Sequence, residues 1–270
     1  MFEIPFFRFA VPCAILYIFF YTLVINPPIE DEDNHKGLSP EDVRLLRAKG
    51  QTLLDAAQYD EAEDVYVKLH KEFPDNHVYS GDLATIRHWQ TRYEEEAALW
   101  EEYLQHSPIP VEGCPQIGKA YRAAGESTKA LDAMKRCWEF EPTNSDMILF
   151  YGLELEHNGE KKHAHELYVK GHEISPHYGD IMVGLARTDL SLGQTAEARV
   201  LILQVLERSP DSADALLAAG IILARTGDRQ AARRYLQHGV EVSPTYEDMQ
   251  IALAALGGGP SAGGNRKRHI

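Results

Sequence analysis

Residues 143–176 read TNSDMILFYGLELEHNGEKKHAHELYVKGHEISP, and this stretch decides the fold. Halfway along it, Gly159-Glu160 is a helix-break signal. Ala164 follows five residues after that glycine, and Pro176 closes the stretch. The unit is two helices joined by a tight turn, with proline at the exit of the second. The same punctuation extends in both directions. Pro40, Pro74, Pro108, Pro142, Pro176, Pro210 and Pro244 stand 34 residues apart. Gly125-Glu126, Gly193-Gln194 and Gly227-Asp228 repeat the break, and Ala130, Ala198 and Ala232 repeat the alanine. A fixed period of this length marks a repeat architecture. Six units follow: 41–74, 75–108, 109–142, 143–176, 177–210 and 211–244.

These units resemble the tetratricopeptide repeat, whose pattern is W-x2-L-G-x2-Y, then A-x3-F, then A, then P. The third unit has Ile117-Gly118, Tyr121, Ala130, Met134, Cys137 and Pro142. The fourth has Tyr151-Gly152, Leu155, Ala164, Tyr168, Gly171 and Pro176. The sixth has Ala219-Gly220, Leu223, Ala232, Leu236, Gly239 and Pro244. The first has Gly50, Leu53, Ala62, Tyr66 and Pro74, and the fifth carries Ala186 at the glycine site. The second departs most. It keeps Ala84, Tyr93, Trp100 and Pro108 but puts Glu96 where a small residue packs, with Ala97 beside it, so the register of its second helix stays open.

The resemblance implies an all-α fold, a right-handed superhelical solenoid of six helix pairs. Small residues let the two helices of a unit approach, an aromatic fills the gap, and units stack because none buries its apolar face alone. Residues 245–256 read as a closing helix. Residues 257–270 read as a flexible tail, rich in glycine and then basic through Arg266-Lys267-Arg268-His269.

One transmembrane helix is expected ahead of the array. Phe9 to Ile25 run 17 residues without a charge. As a helix this is roughly 26 Å, close to the hydrocarbon thickness. Asn26-Pro27-Pro28 stops it, which sets residues 1–28 as an anchor. Glu30-Asp31-Glu32-Asp33 then mark an acidic linker over 29–40. A cleaved signal peptide needs small residues before the cut, and Thr22-Leu23-Val24-Ile25-Asn26-Pro27 offers no such pattern. Arg8 precedes the run and Lys36 is the first basic residue after it, which favours a cytoplasmic amino terminus and external repeats.

Lys and Arg total 27 against 41 Asp and Glu, a net charge of -14. That balance argues against nucleic acid as a partner, since such binding needs a cationic surface. The chain shows no phosphate loop, nucleophile elbow, HExxH or CxxCH, and no length remains for a catalytic domain. No enzyme activity, cofactor or metal is expected. Among 12 histidines, His157, His163, His165, His172 and His177 cluster around the fourth unit; His165 and His172, seven apart, could share a helical face, but His163 and His165 cannot.

Cys114 falls near the start of one helix and Cys137 late in its antiparallel partner, so the two could bond in an oxidising compartment. The alternative is two buried thiols at core sites of the repeat.

In a tetratricopeptide array the first-helix residues that do not pack between helices line a concave surface. The resemblance therefore implies a peptide-binding groove of Arg47, Lys119, Arg122, Leu149, Leu153, Val183, Arg187, Leu217 and Ile221. Its amino-terminal half is polar with cationic points, and its carboxy-terminal half is apolar with an acidic rim at Asp146, Asp180 and Asp214. The chaperone-binding carboxylate clamp of this family uses lysines, an arginine and asparagines. The matching sites here hold Arg47, Gln51, Asp82, Pro115 and Lys119, which argues against that ligand.

The chain looks like the membrane-tethered repeat proteins that hold clients for envelope assembly, such as cytochrome c maturation, translocon-associated, pilus and exopolysaccharide-export factors. The expected partners are a client protein or peptide and a lipid bilayer through residues 9–25. Self-association into a homo-oligomer is a further reading of the apolar face. The expected place is a bacterial inner membrane, crossed once, with periplasmic repeats. Two other readings stand: a cytosol-facing receptor or co-chaperone on an organelle, and a histidine-based metal or haem handler.

Overall fold

The computed structural model describes residues 37–257. The expected anchor, most of the acidic linker and the tail beyond Gly257 lie outside the described residues. Among those described there are thirteen α-helices, one short 3-10 helix and no strand. No helix among them is long and apolar enough to cross a membrane. The chain divides after Pro74 into two units.

In the first unit, α1 spans Pro40–Asp55 and α2 spans Tyr59–Glu72. Helix α1 begins at a capping box. Ser39 Oγ accepts the Asp42 N–H, and Asp42 Oδ2 accepts the Ser39 N–H, each at 3.2 Å. Pro40 takes the first helical position, where its missing N–H costs nothing. Val43 and Gly50 face Ala62, Val65, Tyr66 and Leu69 of α2 as a small buried core.

The second unit continues the helix pairs. Helices α3 (His77–Trp89) and α4 (Tyr93–His106) form one pair. After the 3-10 turn Pro110–Glu112 come α5 (Cys114–Ala123) and α6 (Ser127–Phe140), then α7 (Ser145–His157) and α8 (Lys161–Ile174). Helices α9 (Gly179–Leu192) and α10 (Thr195–Arg208) precede α11 (Ala213–Arg225) and α12 (Arg229–Val242). Helix α13 (Glu247–Gly257) closes the series and has no following partner among the described residues. Within this unit each even helix from α4 on packs against the odd helix on either side, and α9 also touches α7 and α11, as α11 touches α13.

The turn between the helices of each pair needs a left-handed residue. Gly125, Gly159, Gly193 and Gly227 supply it with φ of 78°, 81°, 86° and 90°. In the first two pairs the same place holds Ala57 and Thr91, at φ 55° and 59°. Those side chains adopt a conformation that costs non-glycine residues roughly 1–2 kcal/mol.

Glu96 does not shift its helix. The second helices of the six pairs begin at Tyr59, Tyr93, Ser127, Lys161, Thr195 and Arg229, so the period holds through the second repeat. Glu96 and Ala97 are both buried, and Glu96 Oε2 lies 3.1 Å from His88 Nδ1. Burial still raises the Glu96 pKa despite that partner.

Tyr168 shows how neighbouring pairs interlock. It is fully buried between Gly152 of α7 and Gly184 of α9. A Cβ at Gly184 would stand 2.7 Å from Tyr168 Cζ, so the close approach of the two helices requires glycine there.

Candidate functional site

Helix spacing places four stripes on the first helices of the second unit. Positions three and four apart share a face. The stripes are Asp146, Leu149, Leu153 and Glu156 on α7; Asp180, Val183, Arg187 and Leu190 on α9; Asp214, Leu217, Ile221 and Ala224 on α11; and Asp248, Ile251 and Ala255 on α13.

Burial sorts these residues. Leu149 retains 8% and Val183 only 2% of its surface, so neither is the outward groove residue that the repeat register implied. The reason is lateral packing. Helix α7 touches α9 and α9 touches α11, and Leu149 and Val183 join the core clusters of those contacts. Leu153 and Leu217 are half-buried, while Ile221 is 38% exposed. Ile251 is more open, at 52%. Residues 245–256 read as a closing helix and so lie outside the implied groove, yet Ile251 stands 34 residues after Leu217, in register with it.

The expected groove cations are largely engaged within the array. Arg187 Nη2 lies 2.7 Å from Glu156 Oε1, and the Tyr168 hydroxyl donates to the same oxygen at 2.9 Å. Burial works against the Arg187 charge, but Glu156 outweighs it and holds the Arg187 pKa above its ordinary value. Arg122 of α5 pairs with Glu154 of α7, whose side chain is buried, and burial lowers the Arg122 pKa. Arg122 and Arg187 are therefore ties between repeats rather than open contacts. Lys119 is exposed on α5, and Arg47 is half-buried in the first unit.

Asp146, Asp180, Asp214 and Asp248 are all exposed in the first turns of their helices, where the helix dipole favours a carboxylate. The Tyr178 hydroxyl donates to Asp146, and the Tyr246 hydroxyl donates to Asp214 at 2.8 Å. Burial and then the Asp214 bond push the Tyr246 pKa up to about 12. Among the described residues none of these four aspartates lies in an ion pair with a cationic side chain.

Cys114 at the start of α5 and Cys137 late in α6 are joined by a disulfide with Cα atoms 5.9 Å apart, and both residues are buried. The clustered histidines are dispersed. His163 lies 2.7 Å from Glu160, His165 Nε2 lies 2.8 Å from Asp189 Oδ1, and His157 and His177 are exposed. Among the described residues no three His, Cys, Asp or Glu side chains stand together as metal ligands.

A series of interlocked helix pairs with a partly apolar first-helix face is the architecture of a helical repeat protein. Residues 183–245 match the family model described as tetratricopeptide repeat. Over that stretch the chain is similar to tetratricopeptide-repeat proteins. Solved structures agree in fold. PilW, described as a widely conserved type IV pilus biogenesis factor, is similar with a TM-score of 0.59 and 18% identity, over 80% of this chain and 100% of that one. A tetratricopeptide repeat protein from Parabacteroides merdae is similar with a TM-score of 0.60 and 15% identity, over 82% and 86% of the two chains. The Cut9–Hcn1 hetero-tetramer of APC/C gives a TM-score of 0.60 at 14% identity, over 90% of this chain but 45% of that one.

Proposed function

We propose that this chain is a membrane-tethered scaffold that holds a client protein or peptide while an envelope complex is assembled. The observation that carries the reading is the set of partly open apolar side chains Leu217, Ile221 and Ile251 on α11 and α13, with Leu153 on α7, on the first-helix face of the second unit. Apolar side chains left open on a folded surface are a common sign of a binding site. Binding, without catalysis, is the activity.

The proposed place is a bacterial inner membrane with the repeats in the periplasm. Two features support it. The uncharged run 9–25 suits a retained anchor, and the Cys114–Cys137 bond suits an oxidising compartment. Tethering would raise the local concentration of client beside a membrane machine without any new contact.

Photo-crosslinking in intact cells tests both parts. A crosslinker at Ile221 should capture a client in the membrane fraction, and Ile251→Glu should abolish that adduct. Undiminished capture by the Ile251→Glu chain would remove the face from the binding site. Protease added to spheroplasts should digest the repeats, and full protection would overturn the periplasmic placement.

A further inference from the structure

The proposed binding face carries one sign of charge at one edge. Each stripe begins with an aspartate: Asp146, Asp180, Asp214 and Asp248. Leu217 and Ile251 stand three residues after Asp214 and Asp248, on the same face of α11 and α13. The guanidinium within this face, Arg187, is bonded to Glu156 and feels Asp214 only as a more distant charge. Tyr178 and Tyr246 donate hydroxyl hydrogens to Asp146 and Asp214, which orients those carboxylates without neutralising them. The surface thus offers open apolar side chains on α11 and α13 beside a negative margin whose aspartates form no ion pair among the described residues.

Building on the binding reading, we infer that the client segment is a cationic amphipathic peptide: apolar residues seat on Leu217, Ile221 and Ile251, and lysines or arginines along one flank meet the aspartate margin. The apolar contacts supply affinity, and the charges select the sign of the partner and fix its direction across the helices. An acidic or neutral amphipathic segment would leave the margin unpaired or repelled. Recognition would differ in sign from capture of a carboxylate-tailed ligand, for which this chain lacks the asparagines.

The test uses the full-length chain in phosphatidylcholine nanodiscs and two fluorescent synthetic peptides. Both have a leucine face; one is flanked by lysines, the other by glutamines. The lysine peptide should bind about ten-fold more tightly at low ionic strength, from several exposed charge pairs of modest strength each. That preference should vanish in about 0.5 M salt, where the Debye length is only a few ångströms. It should also vanish in the quadruple variant D146N/D180N/D214N/D248N, with circular dichroism unchanged. Equal binding of the two peptides to the unmodified chain would overturn the inference while leaving the apolar site intact. Unaltered binding of both peptides to I221E/I251E would instead overturn the binding reading itself. A ten-fold or greater rise in affinity on deleting 258–270 would make the chain's own basic stretch the occupant and overturn a separate cationic partner.

Discussion

Arg187 of α9 reaches back one repeat to Glu156 of α7, Nη2 to Oε1 at 2.7 Å, and Glu156 also accepts the hydroxyl of the buried Tyr168 of α8. Three helices from two consecutive pairs therefore share one carboxylate. Removing it strands a half-buried cation and a buried hydroxyl together. Glu156→Ala should cost about 2 kcal/mol, read as a fall in the urea midpoint. Glu156→Gln keeps an acceptor and should cost less. Equal losses for the two variants would mean that the hydrogen bonds contribute little.

Two outward positions of the repeat register should respond in opposite ways. Val183 keeps 2% of its surface and belongs to the core shared by α9, α10 and α11, whereas Ile221 is 38% exposed. Val183→Glu buries an unpaired charge and should destabilise by roughly 3–5 kcal/mol, with loss of helical circular dichroism near the midpoint. Ile221→Glu should stay folded within about 0.5 kcal/mol of the unmodified chain. Matching melting curves for the two variants would show that the packing of α9 against its neighbours is looser than described.

Thr91 occupies the left-handed turn position at φ 59°, where four later repeats use glycine. A branched side chain is most strained there. Thr91→Gly should stabilise the chain by about 0.5–1 kcal/mol, the relief of strain being partly offset by the greater freedom of glycine in the unfolded chain. The reverse change, Gly193→Ala, should destabilise by about 1 kcal/mol. Thermal melts of both variants decide the sign, and a destabilised Thr91→Gly would contradict the strain argument.

Asp189 gives a pH dependence with a definite sign. It is buried at the α8–α9 contact, burial raises its pKa, and the bond from His165 only partly opposes that shift. A carboxyl whose folded pKa lies above its unfolded value stabilises fully below the unfolded pKa, near 3.8, and loses that contribution as pH rises through the folded pKa. At neutral pH the buried charge is a burden. Asp189→Asn keeps an acceptor for His165 and should match or exceed the unmodified stability at pH about 7, with the difference shrinking towards pH about 4. Denaturation midpoints across that range are the measurement, and a variant weaker at neutral pH would reverse the sign.

The disulfide closes a loop between residues 23 positions apart. Its loss through Cys137→Ser should cost about 3 kcal/mol in the chain-entropy description. Thiol titration of the denatured, unreduced full chain should find one free cysteine, Cys13, of the three present. Three reactive thiols would show the bond absent.

The period of Pro40, Pro74, Pro108 and their successors made the helix pairs legible without coordinates, because each turn needs its own local punctuation and carries it in the chain. Glu96 looked like a break in register and is not one. The adjacent His88 lies within hydrogen-bond reach of its buried carboxylate, and the period of the second helices passes through unshifted. Ile251 was legible too, as the counterpart of Leu217, once the closing helix is read as another first helix.

What the sequence alone determined about this protein was the number, order and internal register of its helix pairs, and the stripe on which each Asp, Leu and Ile falls. Those are local properties, set by turn residues and helical spacing. Only the tertiary structure decided which members of a stripe stay open. Leu149 and Ile221 are both outward by register, yet one is covered and the other is not. Cover comes from the neighbouring repeat, with which the residue shares no local pattern. The same holds for Arg122 and Arg187. Spacing places them on the first-helix face, and contacts made a full repeat away, to Glu154 and Glu156, draw their charges into the packing between helices.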